Sequence, residues 1–143
     1  MKLTIDTIFV AGLPRTGTTS TAAALEILGY KVAHYCPITN PSTKGDLELE
    51  FDAYVSSELL LKADLSHGRW ILLHREDWLE SMYAMGQDLC EWQEHMKVWD
   101  RIQYVMQQNV FHYHIEDGWE PICWFLARQI PNVEYPRLNF ERY

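Results

Sequence analysis

The sequence predicts an α/β fold of three layers, in which helices cover both faces of a short, mostly parallel sheet. Short apolar segments rich in β-branched residues alternate along the chain with longer segments of helical periodicity. The first apolar segment also leads through a glycine-bearing turn directly into a helix, which is the order of a parallel strand–turn–helix unit. A length of 143 residues fits one compact core, so we expect residues 1–143 to form a single domain.

The amino-terminal part of the chain predicts two strands around one helix. Thr7–Ala11 is short, apolar and β-branched, as expected of a buried strand. Thr18–Leu28 is rich in Ala and Leu, and Gly29 stands where a left-handed residue commonly ends a helix. A second short strand is predicted over Lys31–Tyr35, and the prolines and glycine of Cys36–Gly45 indicate a loop.

The rest of the chain continues the alternation of strands and helices. The predicted elements are a helix over Asp46–Lys62, a strand over Trp70–His74, a long helix from Asp77 to about Gln108, a strand over Val110–Ile115, a short helix over Gly118–Ala127 and an extended tail over Pro131–Tyr143. Apolar side chains recur on one face of the long helix: Leu89, Trp92, Met96, Trp99 and Met106. We interpret this stripe as core packing, and any exposed part of it could join two copies of the chain into a homodimer.

Charge and composition narrow the class of partners. The formal net charge of -8 argues against binding to nucleic acids or anionic membranes, and we expect a small-molecule partner instead. No apolar run approaches the ~20 residues of a membrane span. Cys36, Cys90 and Cys123 are odd in number and widely spaced, as expected of free thiols in a reducing compartment. Asp6 interrupts the apolar segment after Lys2, so we expect no signal peptide and a cytoplasmic location.

The turn between the first strand and the first helix carries the most specific motif. The stretch GLPRTGTTS, Gly12–Ser20, nearly spells the phosphate-binding loop Gly-x-x-x-x-Gly-Lys-Ser/Thr of nucleotide enzymes. Its glycines let the backbone approach an anion, and the N–H groups and dipole of the following helix attract negative charge. Thr18, Thr19 and Ser20 add hydroxyl donors, and Arg15 adds a positive charge with a planar fork of donors. We therefore predict a phosphate-type anion site at this turn.

The lysine of the nucleotide loop is absent, because Thr18 occupies its position. In nucleotide kinases and hydrolases that lysine reaches the β- and γ-phosphates, and an acidic residue on another strand helps to hold magnesium. No apolar strand of this sequence ends in Asp. A nucleotide kinase or hydrolase remains an alternative, but the loop is better suited to an anion with less charge than a metal-bound triphosphate.

Several stretches resemble the sulfotransferase family, whose members use 3′-phosphoadenosine 5′-phosphosulfate (PAPS) as the donor. PRTGTTS, Pro14–Ser20, resembles the loop that binds the 5′-phosphosulfate. RWILLHREDWLESM, Arg69–Met82, resembles the strand and turn that bind the 3′-phosphate, and FDAYVS, Phe51–Ser56, resembles a helix that precedes this strand. DGWEPICWFLARQIPNVEYPRLN, Asp117–Asn139, resembles the carboxyl-terminal segment of one sulfotransferase subgroup.

The resemblance implies a P-loop NTPase-like fold and transfer of a sulfuryl group from PAPS to a hydroxyl or amine acceptor, leaving adenosine 3′,5′-bisphosphate (PAP). Arg15 matches the basic, catalytic residue beside the bridging oxygen of the phosphosulfate. The positions that match the 5′-phosphate donors are Thr16, Gly17, Thr18, Thr19 and Ser20. Arg75 and Ser81 match the pair that holds the 3′-phosphate, although Arg75 could instead be a surface ion-pair partner of Glu76 or Asp77. A non-catalytic relative that only binds PAP is a further alternative.

Sulfuryl transfer also needs a base for the acceptor's proton, unless the acceptor is already ionised. We expect His34, at the end of the second predicted strand, to face the loop and act as this base, with a purely structural hydrogen bond as the alternative. His74 is another possible base, but the neighbouring Arg75 disfavours its protonation. His112 and His114 share a strand face as two metal ligands would, but no third ligand is evident, and we expect no metal ion to be required.

Overall fold

In a computed structural model, the structure describes residues 6–34, 51–62, 65 and 67–138. Five parallel strands form one sheet in the order β2-β3-β1-β4-β5: β1 (Ile8–Ala11), β2 (Val32–His34), β3 (Ala53–Val55), β4 (Arg69–Leu73) and β5 (Val110–Tyr113). The α-helices are α1 (Thr18–Ile27), α2 (Trp78–Ala84), α3 (Gln93–Ile102) and α4 (Trp119–Leu126). Short 3₁₀ helices lie at Ser57–Lys62, Leu89–Trp92 and Ile115–Asp117. The predicted α/β fold with a parallel sheet is confirmed.

The core lies on both faces of the sheet, because its central strand β1 is covered on both sides. Ile8 and Val10 point into a cluster shared with α1 and α4. Phe9 and Ala11 point the opposite way, into a cluster that includes residues of α2 and is flanked by α3. This alternation follows from the period of two in a strand, and it produces the three layers that the sequence predicts.

The predicted helix over Asp46–Lys62 is wrong for the residues that the structure describes. Ala53–Val55 is strand β3, inserted between β1 and β2, and only Ser57–Lys62 is helical, as a 3₁₀ helix. FDAYVS therefore contains a strand where the family resemblance implied a helix. All three residues of β3 are buried, so the strand shows no alternation of polar and apolar residues that could distinguish it from a buried helix. Residues 46–50 lie outside the described residues.

The predicted long helix from Asp77 to about Gln108 is also wrong, because the segment is broken into α2, the 3₁₀ helix at Leu89–Trp92 and α3. Gly86 ends α2 with a φ of +66°, a left-handed conformation that glycine adopts without steric cost. The Asp88 side chain then accepts a hydrogen bond from the N–H of Cys90 and starts the next helical turn. Residues 103–109 are not helical.

The apolar stripe of this segment packs against the core, as predicted, with one exception. Four of its side chains are partly buried against the α2–α3 side of the sheet: Leu89, Trp92, Met96 and Trp99. Met106 is 86% exposed, because it follows the end of α3.

The remaining elements agree with the predictions to within about two residues at each end. Gly29 follows α1 and has a φ of +97°, the left-handed conformation predicted for the residue that ends this helix. Ile115 begins a 3₁₀ turn and does not continue β5. Cys90 and Cys123 are free thiols. The described residues do not include Tyr35, the predicted loop over Cys36–Gly45 or residues 139–143. Among the helices that the structure describes, none has the length and apolar character to span a membrane.

Candidate functional site

A cleft of about 310 Å³ opens at the carboxyl ends of the central strands, where parallel α/β sheets commonly bind ligands. Its lining comes from the Gly12–Ser20 turn, hereafter the loop, and from the ends of β2 and β3: Pro14, Arg15, Gly17, Thr18, Thr19, His34, Ser56, Ser57, Glu58, Trp92 and Leu138. The loop and His34 therefore share one cleft, as the sequence predicts. Because β2, β3 and β1 are parallel neighbours, their carboxyl ends meet at this edge.

The two loop glycines are required by close packing. Gly17 has a φ of +106°, and a Cβ there would lie 2.7 Å from Cγ2 of Ile115. A Cβ on Gly12 would lie 2.6 Å from Oγ1 of Thr16 and 2.8 Å from Cβ of Leu73. The loop thus lies against the ends of its neighbours with no room for larger residues.

The loop carbonyls are bound on the side away from the cleft. Three consecutive carbonyls accept hydrogen bonds from side chains: Leu13 from Thr16 Oγ1 at 2.6 Å, Pro14 from Trp78 Nε1 at 2.6 Å and Arg15 from Arg75 Nη1 at 2.8 Å. The first hydrogen bond of α1 runs from Thr21 N to Gly17 O, so the N–H groups of residues 18–20 have no partner within the helix. This arrangement offers donors to an anion at the mouth of the loop and removes competing acceptors.

Arg15 combines a strained backbone with an unused side chain. Its φ of +67° lies in the left-handed region, which costs a residue with a side chain about 1–2 kcal/mol. Its Nε is buried and has no hydrogen-bond partner among the residues that the structure describes. Backbone strain and a buried donor without a partner at one position are typical of a functional residue.

The predicted 5′-phosphate donors divide into two groups. Gly17, Thr18 and Thr19 line the cleft together with Arg15. The side chains of Thr16 and Ser20 are engaged inside the protein. Ser20 Oγ donates to the Leu138 carbonyl at 3.0 Å and accepts from the Leu138 N–H at 2.7 Å, so it ties α1 to the carboxyl-terminal segment.

The two residues predicted to bind the 3′-phosphate are held inside the protein. Arg75 is fully buried at its side chain and forms a two-pronged ion pair with Asp77, through Nε–Oδ1 at 2.6 Å and Nη2–Oδ2 at 3.3 Å. The alternative of an ion pair with Asp77 is therefore present, but it is buried at Arg75 and only partly exposed at Asp77. Ser81 lies within α2, fully buried, and its Oγ has no hydrogen-bond partner among the described residues.

Arg75 also lines a second cavity of about 220 Å³ on the α2–α3 side of the loop. Thr16, Trp78 and Trp99 contribute to its walls. Ser81 lines neither this cavity nor the cleft. The structure therefore brings Arg75 to the loop and keeps Ser81 inside the protein.

His34 lies at the last position of β2 and is partly buried in the cleft wall. Burial lowers its pKa below the usual value, and the negative charge of Glu26 partly offsets this effect. His34 is consequently neutral at pH 7 and able to accept a proton, as a general base requires.

The other three predicted histidines form a separate cluster. His74 Nε2 lies 2.8 Å from His112 Nδ1, and His112 Nε2 lies 2.6 Å from the carbonyl of Val105. A carbonyl only accepts, so His112 carries its proton on Nε2 and accepts from His74. The ring of His114 stacks on His74 at 5.2 Å between centroids. His74 does not line the cleft, so it is not placed to act as the base there.

Burial and the neighbouring His112 and His114 lower the pKa of His74 to about 4. Within the described part of the chain, no group of three or more His, Cys, Asp or Glu residues is arranged to hold a metal ion. The facing ring nitrogens of His74 and His112 are used by each other.

The opposite wall of the cleft escaped sequence analysis. Ser56, Glu58 and Trp92 line it, and all three lie in or beside segments whose predicted helices are wrong. Recognising β3 as a strand would have placed the residues that follow it, Ser56 to Glu58, at the same sheet edge as His34.

Comparison with known proteins agrees with the geometry of the loop. A family model described as a sulfotransferase domain matches residues 7–50 and 92–142, which is more than half of the chain. The matched residues include the loop, His34, Trp92 and the carboxyl-terminal segment. Residues 51–91, which contain Glu58, Arg75 and Ser81, lie outside the match. Among curated proteins, no relative matched the chain.

Proposed function

The chain belongs to the sulfotransferase domain family, and from this premise we propose that it transfers a sulfuryl group from PAPS to a hydroxyl or amine acceptor in the loop cleft. The observation that carries the proposal is the meeting of Arg15 and a neutral His34 in one cleft. One supplies a positive charge for a leaving phosphate, and the other supplies a site for the acceptor's proton.

The loop fits the phosphosulfate end of the donor. The N–H groups at the start of α1 and the hydroxyls of Thr18 and Thr19 provide donors around the mouth of the loop. Arg15 provides a full positive charge, and its buried Nε has no hydrogen-bond partner among the described residues. These groups account for binding of an anion without a metal ion.

The proposed transfer is a direct displacement at sulfur. The acceptor lone pair forms the new bond to sulfur while the bond between sulfur and the 5′-phosphate oxygen breaks, and the electron pair stays on the departing PAP. His34 takes the acceptor's proton. Arg15 stabilises the charge that grows on the leaving oxygen, where an interaction is worth more in the transition state than in the ground state.

We keep Arg75 and Ser81 as the proposed ligands of the 3′-phosphate. Arg75 places a positive charge directly behind the loop, and the Ser81 hydroxyl retains its capacity to donate. Ser81 would have to become accessible for this contact. A charge-assisted pair of this kind corresponds to about ten- to several-hundred-fold preference for PAP over adenosine 5′-monophosphate.

Ligand-induced stabilisation tests the proposal and separates it from its alternatives. PAP is expected to raise the melting temperature without magnesium, whereas a kinase or hydrolase would respond to ATP with magnesium. Radiolabelled PAPS with a panel of alcohols, phenols and amines then tests turnover. Binding of PAP with no product from any acceptor would favour a non-catalytic relative. A response to ATP with magnesium alone would overturn the proposal.

A further inference from the structure

A carboxylate stands in the cleft wall opposite the loop. Glu58 belongs to the 3₁₀ helix that follows β3, and its N–H donates to Ser56 Oγ at 3.1 Å. Its Oε1 lies 3.2 Å from Nε2 of His95, on α3. The Glu58 side chain is 48% exposed and lines the cleft, so the contact with His95 leaves it accessible to a ligand.

His95 does not form a well-aligned hydrogen bond with Glu58. His95 is buried, and neither of its ring nitrogens has such a hydrogen bond among the described residues. The Glu58 carboxylate oxygens therefore keep their capacity to accept a hydrogen bond from a ligand in the cleft.

Glu58 and Arg15 line the same cleft without forming an ion pair with each other. Main-chain contacts position both residues, because the Arg15 carbonyl accepts from Arg75 and the Glu58 N–H donates to Ser56. The cleft therefore has a cationic side chain on the loop and an acidic side chain in the wall formed by Ser56, Glu58 and Trp92, hereafter the negative wall.

An aromatic ring belongs to the negative wall. Trp92 lines the cleft and packs on His95, with ring centroids 4.6 Å apart. Glu58 and Trp92 both contact His95 and both line the cleft. A carboxylate and an indole in one cleft wall are a favourable environment for an ammonium group, which the carboxylate attracts by charge and the indole through its π face. An acceptor with a carboxylate or sulfate at this position would be repelled.

We infer that the acceptor carries a positively charged amine at a distance from the group that is sulfated, as in a phenolic amine or an amino alcohol. Glu58 and Trp92 bind the ammonium group, and the hydroxyl faces His34 and the loop. This inference rests on the proposed sulfotransferase function, because it identifies the acceptor class of the same cleft.

A matched pair of acceptors tests the inference. Tyramine and 4-ethylphenol share the phenol and the two-carbon chain, and only tyramine carries an amine, which is protonated at pH 7. The ratio of their kcat/KM values is expected to favour tyramine about three- to tenfold, since Glu58 is half exposed. Glu58→Gln should bring this ratio close to one, and Glu94→Gln, an exposed change on α3, should leave the ratio as it is.

Two results would overturn the inference. The wild-type protein could show no preference for tyramine, or Glu58→Gln could reduce both acceptors equally, which would make Glu58 a base or a structural residue. Salt offers a check that needs no variant. The preference should shrink between 20 and 500 mM NaCl, because the Debye length falls within the range of roughly 30 to 3 Å and the attraction between Glu58 and the ammonium group is screened.

Binding to the PAP-loaded protein covers the case in which neither phenol is turned over. Calorimetry should show tyramine binding more tightly than 4-ethylphenol, and failure of tyramine to bind would overturn the inference. PAP binding and sulfation of 4-ethylphenol without an amine preference would leave the sulfotransferase proposal standing. Absence of PAP binding would remove both.

Discussion

The guanidinium of Arg75 donates from Nη1 to the main-chain carbonyl of Arg15 at 2.8 Å. The two arginines that the family resemblance assigns to the 5′-phosphosulfate and the 3′-phosphate of the donor are thus in direct contact. Asp77 holds Arg75 in place through two further contacts. The left-handed backbone of Arg15 is consequently fixed from behind by a buried ion pair, and any change at Arg75 is expected to reach the loop.

Replacing only one member of this ion pair should be more harmful than replacing both. Arg75→Met removes the donor to the Arg15 carbonyl and the cation that faces the Asp77 carboxylate, and the loss of such a partner costs about 1–3 kcal/mol. Arg75→Met with Asp77→Leu should unfold at a higher urea concentration than Arg75→Met alone. Equal midpoints for the two proteins would show that the pair does not couple as described.

Ligand binding by Arg75→Met distinguishes the loop contact from direct recognition of a phosphate. If Arg75 acts through Arg15, the variant should bind adenosine 5′-monophosphate and PAP more weakly by similar factors. If Arg75 acts only on the 3′-phosphate, PAP alone should lose affinity. Titration calorimetry of both nucleotides measures the two factors, with wild-type protein as the reference.

Arg15 should show a trade-off between stability and activity. Removal of its side chain is expected to lower kcat about 10²–10³-fold, as for other groups that stabilise a developing oxyanion. Because its φ is +67°, Arg15→Gly should be about 1 kcal/mol more stable than Arg15→Ala while being equally impaired. Urea unfolding and initial rates measure both properties. Near-normal kcat in either variant would remove Arg15 from the catalytic role.

The acidic limb of the pH–rate profile should reflect the protonation of His34 and should shift when Glu26 is replaced. The pKa of His34 is lowered by burial and raised by the charge of Glu26. Glu26→Gln removes the raising effect, so the pH at which kcat/KM falls should move to a lower value. Glu94→Gln serves as the control, because Glu94 is exposed on α3 and does not line the cleft, and His34→Asn should abolish the limb. A limb that ignores both His34→Asn and Glu26→Gln would return His34 to a structural role.

The part of the site that the sequence predicted is the part encoded locally. The β1–loop–α1 unit lies within about twenty consecutive residues, and its strand, glycines and helix end can each be inferred from neighbours in sequence. His34 lines the cleft because it ends a parallel strand, and all such ends lie at one edge of the sheet.

The parts that were missed depend on contacts between distant residues. β3 is three residues long and becomes a strand because β1 and β2 pair with it on both sides. The Ser20 hydroxyl is used by Leu138, a contact across 118 positions that no local pattern indicates. Glu58 and Trp92 lie in short elements whose boundaries depend on such long-range contacts. The negative wall of the cleft was therefore not predicted from the sequence.

The histidine cluster should make the fold sensitive to mild acid. Its central residue His74 has a pKa lowered to about 4, because it is buried and faces His112 and His114, with Arg75 next to it in the chain. In the unfolded chain its pKa is about 6.5. Between these values the unfolded state binds more protons than the folded state, so the free energy of unfolding decreases as the pH falls from 6.5 towards 4 and is insensitive to His74 above 6.5.

The size of this effect can be isolated by substitution. Partial exposure of His74 screens the effect, which we expect to amount to about 1–2 kcal/mol over the whole window. His74→Gln should flatten the dependence of unfolding free energy on pH between 6.5 and 4, relative to wild type, even if its stability at pH 8 is lower. His67→Gln removes an exposed histidine near the start of β4 and serves as the control for the loss of one imidazole. Identical slopes in wild type and His74→Gln would show that His74 titrates alike in the folded and unfolded states.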